Sequence, residues 1–294
     1  MKKNLFILSV ATLLMVGCDS SNTLENINPN EIRIVAKVDN TRATATAFEE
    51  GDKIALYAVE YDGDSVAELQ VAGNFINNEP MVYNGTAWAG SRTLYWSDKP
   101  CDFYAIYPYH EPATISNFLF ELPVDQNSPE TENSLSGYEA ADLLWAKATK
   151  VSRTDGAVEL SFKHMMSKAV VKIERGASYE GELPDDIVVH IYNTQTSALV
   201  DWRVGSLKIY PYGNRSTINM RKVGRDTFDA IVVPQFIERS TPLIEITMDG
   251  IAYLLNYSIS FRPGYQHTIT VTLNTSPDQE KIEIAIDGSV DGWK

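Results

Sequence analysis

Apolar and polar residues alternate with a period of two along most of this chain, and that period predicts β-strands rather than helices. The earliest alternating run carries four apolar residues at every second position: Ile32, Ile34, Ala36 and Val38. Residues 53–59 form a nearly continuous apolar segment, which is typical of a buried strand. Turn pairs such as Asn84-Gly85 separate the short runs. The pattern therefore predicts an all-β protein.

The spacing of strands and turns predicts two β-sandwich domains in tandem. Roughly 275 residues remain once an export signal is removed, and an ordinary sandwich needs only about 100. A Thr-Asp-Gly turn at residues 154–156 favours a boundary near residue 156. We expect an N-terminal sandwich over residues 31–156, a C-terminal sandwich over 157–275 and a tail strand over 276–294.

The amino-terminal segment predicts export and lipid anchoring. A charged start precedes an apolar run that is too short to span a bilayer as a mature helix. The run ends in Met15-Val16-Gly17-Cys18, which resembles the bacterial lipoprotein box; a simple signal peptide before an unmodified Cys18 is the alternative. Two or more acyl chains on Cys18 give stable membrane anchoring. We expect a lipoprotein signal over residues 1–17 and a polar tether over 18–30.

Charge and composition narrow the class of protein. The chain has 25 Lys+Arg and 39 Asp+Glu, a formal net charge of −14. Nucleic-acid binding is not expected, because phosphate contacts need clustered basic residues and no basic run exists. A hydrophobic fraction of 44% predicts a buried core. Cys101 is the one cysteine besides Cys18, so once Cys18 is lipidated no internal disulfide can form and stability must come from packing.

Sequence motifs for catalysis are missing, and we predict that the protein is not an enzyme. There is no nucleophile elbow, zinc-protease helix, dinucleotide fingerprint or phosphate loop. The four histidines are not at metal-ligand spacing, and Asp62-Gly63-Asp64 lacks the remaining ligands of a calcium loop. We expect no catalytic residue, no metal and no cofactor. Aromatic residues between 88 and 109 leave sugar stacking open as a less favoured alternative to core packing.

Several short segments resemble, in order, the fimbrillin family of Bacteroidetes, and in particular its Mfa-like group. They are Thr41-Arg42-Ala43, Phe48 to Tyr57, Leu94-Tyr95-Trp96, Asp102 to Tyr109, Asp142 to Ala146, Leu160 to Lys168 and Phe261 to Tyr265. Their order across almost the whole chain carries the resemblance. It implies two transthyretin-like β-sandwich domains in tandem. It also implies a structural or adhesive subunit of cell-surface fimbriae.

The resemblance further implies how such a subunit matures. Family members are exported as lipoproteins to the outer membrane, and an Arg-specific protease then removes the first strand. The matching position here is Arg42-Ala43, within a small polar stretch of the accessible kind that proteases cut. Cutting there detaches the lipid on Cys18 together with residues 31–39. The loss exposes an apolar groove with unpaired backbone groups, which favours insertion of another strand.

The tail is a candidate donor strand for that groove. Its apolar residues resemble the spacing of the first strand, with Val290 continuing the same parity past Gly288: Ile282, Ile284, Ile286 and Val290. Two hypotheses remain open, because the tail either enters the groove of the next subunit or completes the second sandwich of its own chain.

The partners implied are other fimbrial subunits, the protease and, before processing, a lipid anchor in the outer membrane. A host or glycan ligand stays open. The alternative function is a stand-alone surface lipoprotein that binds a glycan or a host protein, which predicts a retained lipid, an uncut Arg42 and a monomer.

Overall fold

The structure is a computed structural model and describes residues 28–39, 48–275 and 284–293. Within these ranges the chain is almost entirely β-structure, which confirms the all-β prediction. The strands of the first part are β1 (Ile34–Val38), β2 (Lys53–Asp62), β3 (Ser65–Val66), β4 (Ile76–Tyr83), β5 (Trp88–Gly90), β6 (Cys101–Tyr107), β7 (Phe118–Glu121) and β8 (Leu144–Val151).

Fourteen further strands follow within the described residues. They are β9 (Val158–His164), β10 (Ser167–Arg175), β11 (Val188–Gln195), β12 (Ser197–Asp201), β13 (Ser206–Ile209), β14 (Arg215–Asn219), β15 (Arg221–Lys222), β16 (Thr227–Val232), β17 (Phe236–Ile237), β18 (Pro242–Met248), β19 (Ile251–Asn256), β20 (Ile259–Ser260), β21 (Tyr265–Leu273) and β22 (Ile284–Gly292).

The helical content of the described residues is one short α-helix, α1 (Gly137–Ala141), and one 3₁₀ turn, Arg153–Asp155. The start of α1 is capped reciprocally, because the Ser136 hydroxyl accepts from the Glu139 amide while the Glu139 carboxylate accepts from the Ser136 amide. No helix in the described ranges is long and apolar enough to cross a membrane.

The largest sheet has eight strands. Its order is β1-β9-β8-β6-β2-β4-β5, with β3 paired to β2. β1 runs parallel to β9, whereas the other neighbours in this sheet are antiparallel. β9 lies beyond the expected boundary at residue 156 and still belongs to this sheet, so the sheet continues through His164. The division of the chain into two domains stays a prediction.

Four smaller sheets account for the remaining strands. Their orders are β15-β16-β10-β21-β22, β14-β11-β18-β19, β13-β12-β7 and β17-β20. The third of these joins β7, which precedes residue 156, to β12, which follows it.

Both faces of the largest sheet are buried at its centre, whereas its edge strand β1 has an exposed outer face. β6 is buried along its whole length, and neighbouring residues of β2 such as Leu56 and Tyr57 belong to different core clusters. The cluster around Leu56 also includes the inner residues of β1. The cluster around Tyr57 extends into the second half of the chain, where Tyr57 packs edge-on against Trp202 with ring centroids 6.1 Å apart. The cluster around Tyr57 therefore joins the two halves of the chain, while the cluster around Leu56 stays within residues 32–162.

Candidate functional site

The first strand, β1, lies at the edge of the largest sheet. In its parallel ladder with β9, Ile34 is opposite Val158 and Val38 is opposite Phe162. At one end of this ladder the Val158 amide donates to the Arg33 carbonyl at 2.8 Å, and at the other end the Asp39 amide donates to the Phe162 carbonyl at 2.7 Å. The backbone of the strand is thus held by β9 from end to end.

The residues just before β1 pair with a different segment on the opposite side. The Ile32 amide donates to the Leu94 carbonyl at 2.9 Å, and the Trp96 amide donates to the Asn30 carbonyl at 2.8 Å. The guanidinium of Arg153 also donates to the Asn30 side-chain oxygen at 2.8 Å. The first strand therefore lies in a slot that is formed by β9 along residues 33–39 and by residues 94–96 along residues 30–32.

Alternate side chains of the first strand fill the core beneath this slot. Ile32, Ile34 and Val38 are buried, with exposed fractions of 4%, 6% and 7%, whereas Val35 is 54% exposed. Ala36 is half-buried and packs against the same cluster. The period of two in the sequence therefore corresponds to an inner and an outer face.

Aromatic rings support the floor of the slot near the end of β1. Phe48 packs edge-on against Trp88, Tyr107 and Phe162, with ring centroids 5.0, 5.7 and 5.2 Å apart. These contacts are made between residues on the carboxyl side of position 42. They do not depend on β1 for their partners.

The tail strand, β22, pairs within its own chain. It forms an antiparallel ladder with β21 that runs from Ile284 opposite Leu273 to Gly292 opposite Tyr265. It is an edge strand of the five-stranded sheet. In this structure the tail thus completes a sheet of its own chain, as one of the two hypotheses stated. Ile282 lies outside the described residues.

Few side chains of β22 are buried. Ile284 and Ile286 are half-buried against the core, and Val290 is 46% exposed. The tail strand is therefore held mainly by its backbone ladder, in contrast to β1.

Trp293 anchors the end of the tail. It is 3% exposed, and its amide donates to the Gly264 carbonyl at 3.0 Å. Its indole stacks on the imidazole of His164, with centroids 3.9 Å apart and planes 8° from parallel. The Nδ1 atom of His164 lies 2.8 Å from an Asp142 carboxylate oxygen, which holds the ring in place. His164 is the last residue of β9, so β9 contacts both β1 and the end of the tail.

A cavity of about 280 Å³ lies where these elements meet. Val38, Phe48 and Trp293 all line it, together with His164. Its polar lining includes Asp52, whose carboxylate accepts from the Tyr107 hydroxyl at 3.0 Å. Burial raises the pKa of the Asp52 carboxyl above its usual value. The end of the first strand and the end of the tail therefore share one cavity.

The structure also gives the positions of the aromatic residues, the candidate metal ligands and Cys101. Most of the aromatic set is buried, including Trp88, Phe103, Tyr104 and Tyr107, while Tyr95 is 52% exposed. Within the described ranges no three His, Cys, Asp or Glu side chains are grouped closely enough to hold a metal ion. The Cys101 thiol is buried, and burial raises its pKa to about 12, so it is protonated at neutral pH.

Cys18, Arg42 and Ala43 lie, like Ile282, outside the described residues, so lipidation and cleavage stay predictions. Sequence reasoning did not single out Trp293. Its one signal is an aromatic residue placed just after the alternating positions of the tail.

The sequence of the chain matches a known family. The model of a family described as fimbrillin-like matches residues 41–293. Because the match covers most of the chain, the protein belongs to the fimbrillin-like family. The resemblance found in the sequence is confirmed.

A curated relative from Bacteroides ovatus, described as a candidate fimbrium tip subunit and called Fim1C, is 31% identical over 161 residues. The match covers 50% of this chain and 28% of that protein. The proteins that this chain resembles are described as fimbrial proteins or candidate cell adhesion proteins.

Solved structures share the fold. A candidate cell adhesion protein from Bacteroides uniformis superposes with a TM-score of 0.68 at 20% identity, covering 90% of this chain and 98% of that one. A fimbrial protein from Bacteroides ovatus gives a TM-score of 0.52 at 20% identity, covering 85% of this chain and 51% of that one. At these identities the likeness concerns the fold alone.

Proposed function

We propose that this protein is a structural or adhesive subunit of cell-surface fimbriae that assembles by strand exchange. The chain is exported as a lipoprotein, anchored in the outer membrane through Cys18, and cut after Arg42 so that the first strand leaves. Membership of the fimbrillin-like family supports the subunit role. The observation that carries the exchange is the position of β1, an edge strand whose inner face is buried in the core.

The burial of the first strand indicates why its loss favours assembly. Burying an aliphatic side chain contributes about 1.5–3 kcal/mol, so the three buried residues of this strand contribute roughly 5–9 kcal/mol before the cost of ordering the chain. Removing the strand also leaves the backbone groups of β9 and of residues 94–96 without their partners. The open slot is therefore a strong acceptor for another strand.

The tail suits the role of donor because it gains burial by moving. In its own chain Val290 is 46% exposed, whereas the valine at the end of the slot, Val38, is 7% exposed. A tail that leaves β21 and enters a neighbour's slot buries aliphatic surface that its own chain leaves in water. Each junction is heterologous, so its repetition gives an open fibre when the rotation from one subunit to the next does not close a ring.

We extend the proposal to the architecture, as two transthyretin-like sandwiches in tandem. β9 is paired with β1 and β8, which supports a division after His164 rather than at residue 156.

The test uses the uncut chain that starts at residue 18, with the substitution Cys18→Ser so that no lipid is attached. This chain is treated with an Arg-specific protease. We expect an intact mass that starts at Ala43 and, after cutting, oligomers that survive mild detergent. The matched control Arg42→Ala stays uncut and monomeric. A chain cut at this position that remains monomeric at high concentration would contradict the proposal.

Two further measurements separate the alternatives. Deleting residues 277–294 removes the proposed donor, and cut protein without the tail is expected to stay monomeric. Mass analysis of protein extracted from the cell surface distinguishes a processed subunit, starting at Ala43, from a monomer that keeps an acylated Cys18. The second result would favour a stand-alone lipoprotein that binds a glycan or a host protein.

A further inference from the structure

The cavity between the end of β1 and the end of the tail carries an excess of negative charge. Its charged lining consists of the carboxylates of Glu49, Asp52, Glu139 and Asp142 and the cations of Lys168 and Arg221. Both cations are paired with the buried carboxylate of Asp229, whose oxygens lie 3.4 Å from Lys168 Nζ and 3.0 Å from Arg221 Nε. Carboxylates therefore remain in excess, and the lining favours a cationic ligand.

The surroundings of Asp52 show the effect of this excess. Its carboxylate accepts from the Tyr107 hydroxyl at 3.0 Å and from the Glu49 amide at 2.7 Å, so its position is fixed. Burial raises the pKa of the Asp52 carboxyl, and the negative charges of Glu139 and Glu49 raise it further. A cation bound among these carboxylates offsets the repulsion between them.

His164 adds an unpartnered polar atom to the same cavity. Its side chain is 3% exposed and lines the cavity. A carboxylate oxygen of Asp142 lies 2.8 Å from Nδ1 and can only accept, so Nδ1 carries the proton of the neutral ring and Nε2 is an acceptor. This Nε2 atom is buried and has no hydrogen-bond partner within the described part of the chain. A buried acceptor without a partner costs free energy, which favours a ligand that carries N–H donors.

The size and the walls of the cavity indicate which kind of cation fits. No three His, Cys, Asp or Glu side chains of the described ranges are grouped closely enough for a metal ion, so the carboxylates are too far apart to meet on one point charge. The volume of about 280 Å³ is close to the lower limit of pockets that hold small molecules. Aromatic rings supply the apolar part of the wall, from Phe48, Tyr107, Tyr138 and Trp293.

We propose that this cavity binds a small aliphatic diamine or polyamine. Its ammonium groups donate to the carboxylates of Glu49 and Asp52 and to Nε2 of His164, while the methylene groups between them pack against the aromatic rings. The site belongs to the uncut chain, in which Val38 and Trp293 both line the cavity. It goes beyond the fimbrial role and does not depend on strand exchange.

Calorimetric titration of the uncut chain with 1,4-diaminobutane and with spermidine tests the site. The chain starts at residue 18 and carries Cys18→Ser. The variant Glu49→Gln keeps the shape of the side chain and removes its charge, so we expect the Kd to rise about tenfold. The matched control is Glu50→Gln, which removes the same charge one residue further on. The Glu50 side chain lies beside Gly85 and does not line the cavity, so the Kd should change less than about twofold.

Three results of the titration would overturn the proposal. The first is a parent chain that binds neither amine more tightly than about 1 mM. The second is an equal loss of affinity in Glu49→Gln and Glu50→Gln, which would indicate diffuse attraction to an acidic surface. The third is displacement of the bound diamine by glucose or by calcium chloride at the same concentration, which would indicate a neutral ligand or a metal ion.

The role of His164 has its own readout in nitrogen NMR of the histidine rings. The Nε2 signal of His164 is identified as the one that is lost in His164→Gln. We expect this signal to shift as 1,4-diaminobutane is added to the parent chain, because the atom gains a hydrogen-bond donor. A signal that stays in place while the calorimeter records binding would locate the diamine outside the cavity and overturn the proposal. Both measurements use uncut protein, so a failure of subunit assembly leaves their outcome unaffected.

Discussion

Buried histidines connect single side chains to the pH at which the protein is stable. His267 is 1% exposed, and its Nε2 atom accepts from the Arg262 amide at 3.1 Å. Burial, and then the positive charge of Arg262, lower the pKa of His267 below its usual value of 6.5. Burial also lowers the pKa of His110. Both rings are therefore held in the neutral form by the fold.

The sign of the resulting pH dependence follows from proton linkage. The unfolded chain protonates these two histidines more readily than the folded chain does. The contribution of the neutral imidazoles to the free energy of unfolding is therefore complete above about pH 6.5, and it is lost as the pH falls toward their lowered pKa values. The variant His267→Gln keeps an acceptor for the Arg262 amide but does not titrate. We expect its Tm to fall less than the Tm of the parent when the pH is lowered from about 7.5 to 5. Thermal unfolding followed by circular dichroism measures this. Equal losses in variant and parent would show that His267 is not a source of the dependence.

β1 illustrates how an element can be stable in place and still be removable. Its outer face is exposed and its inner face is buried, so one side of the strand supplies nearly all of its side-chain burial. It is an edge strand, so it does not lie between two other strands of the largest sheet. The sheet can therefore lose the strand at one edge and keep its remaining order.

A pair of adjacent substitutions tests this description of β1. Ile34→Ala creates a cavity in the core and should lower the free energy of unfolding of the uncut chain by about 2–4 kcal/mol. Val35→Ala, on the exposed face next to it, should change it by less than about 0.5 kcal/mol. Urea denaturation measures both values. Equal effects at the two positions would contradict the assigned faces.

The whole molecule carries a marked excess of negative charge. The net charge of the full chain is −14, and residues 1–42 contain five basic and four acidic groups, so the part from Ala43 onward carries −14 − 1 = −15. Subunits of like charge repel each other, which keeps them soluble and slows their encounter. Assembly then depends on short-range strand pairing that overcomes this repulsion.

Salt should therefore speed the assembly of cut subunits. Raising the ionic strength from about 0.01 M to 0.15 M shortens the Debye length from about 30 Å to 8 Å, so repulsion at encounter is screened. We expect the initial rate of growth in light scattering to rise severalfold across this range. The uncut chain, with its slot filled, should show no growth at either salt concentration. A rate that falls with salt would indicate that attractive charge pairs control assembly.

Local pattern accounts for the parts of this protein that were predicted correctly. The strand class, the inner and outer faces of the first strand and the hairpin at Asn84-Gly85 all depend on the order of nearby residues, because side chains alternate along a strand and a tight turn needs particular residues. The ordered family segments belong to the same category. Each can be read within a short window of the chain.

The choice of partners was decided only in the folded molecule. Alternation indicates which face of a strand is buried but not which strand lies beside it, so the parallel pairing of β1 with β9 and the pairing of the tail with β21 could not be predicted. The contact between Trp293 and His164 joins residues more than a hundred positions apart. Such pairings depend on how all the sheets pack together, and that information is spread over the entire chain.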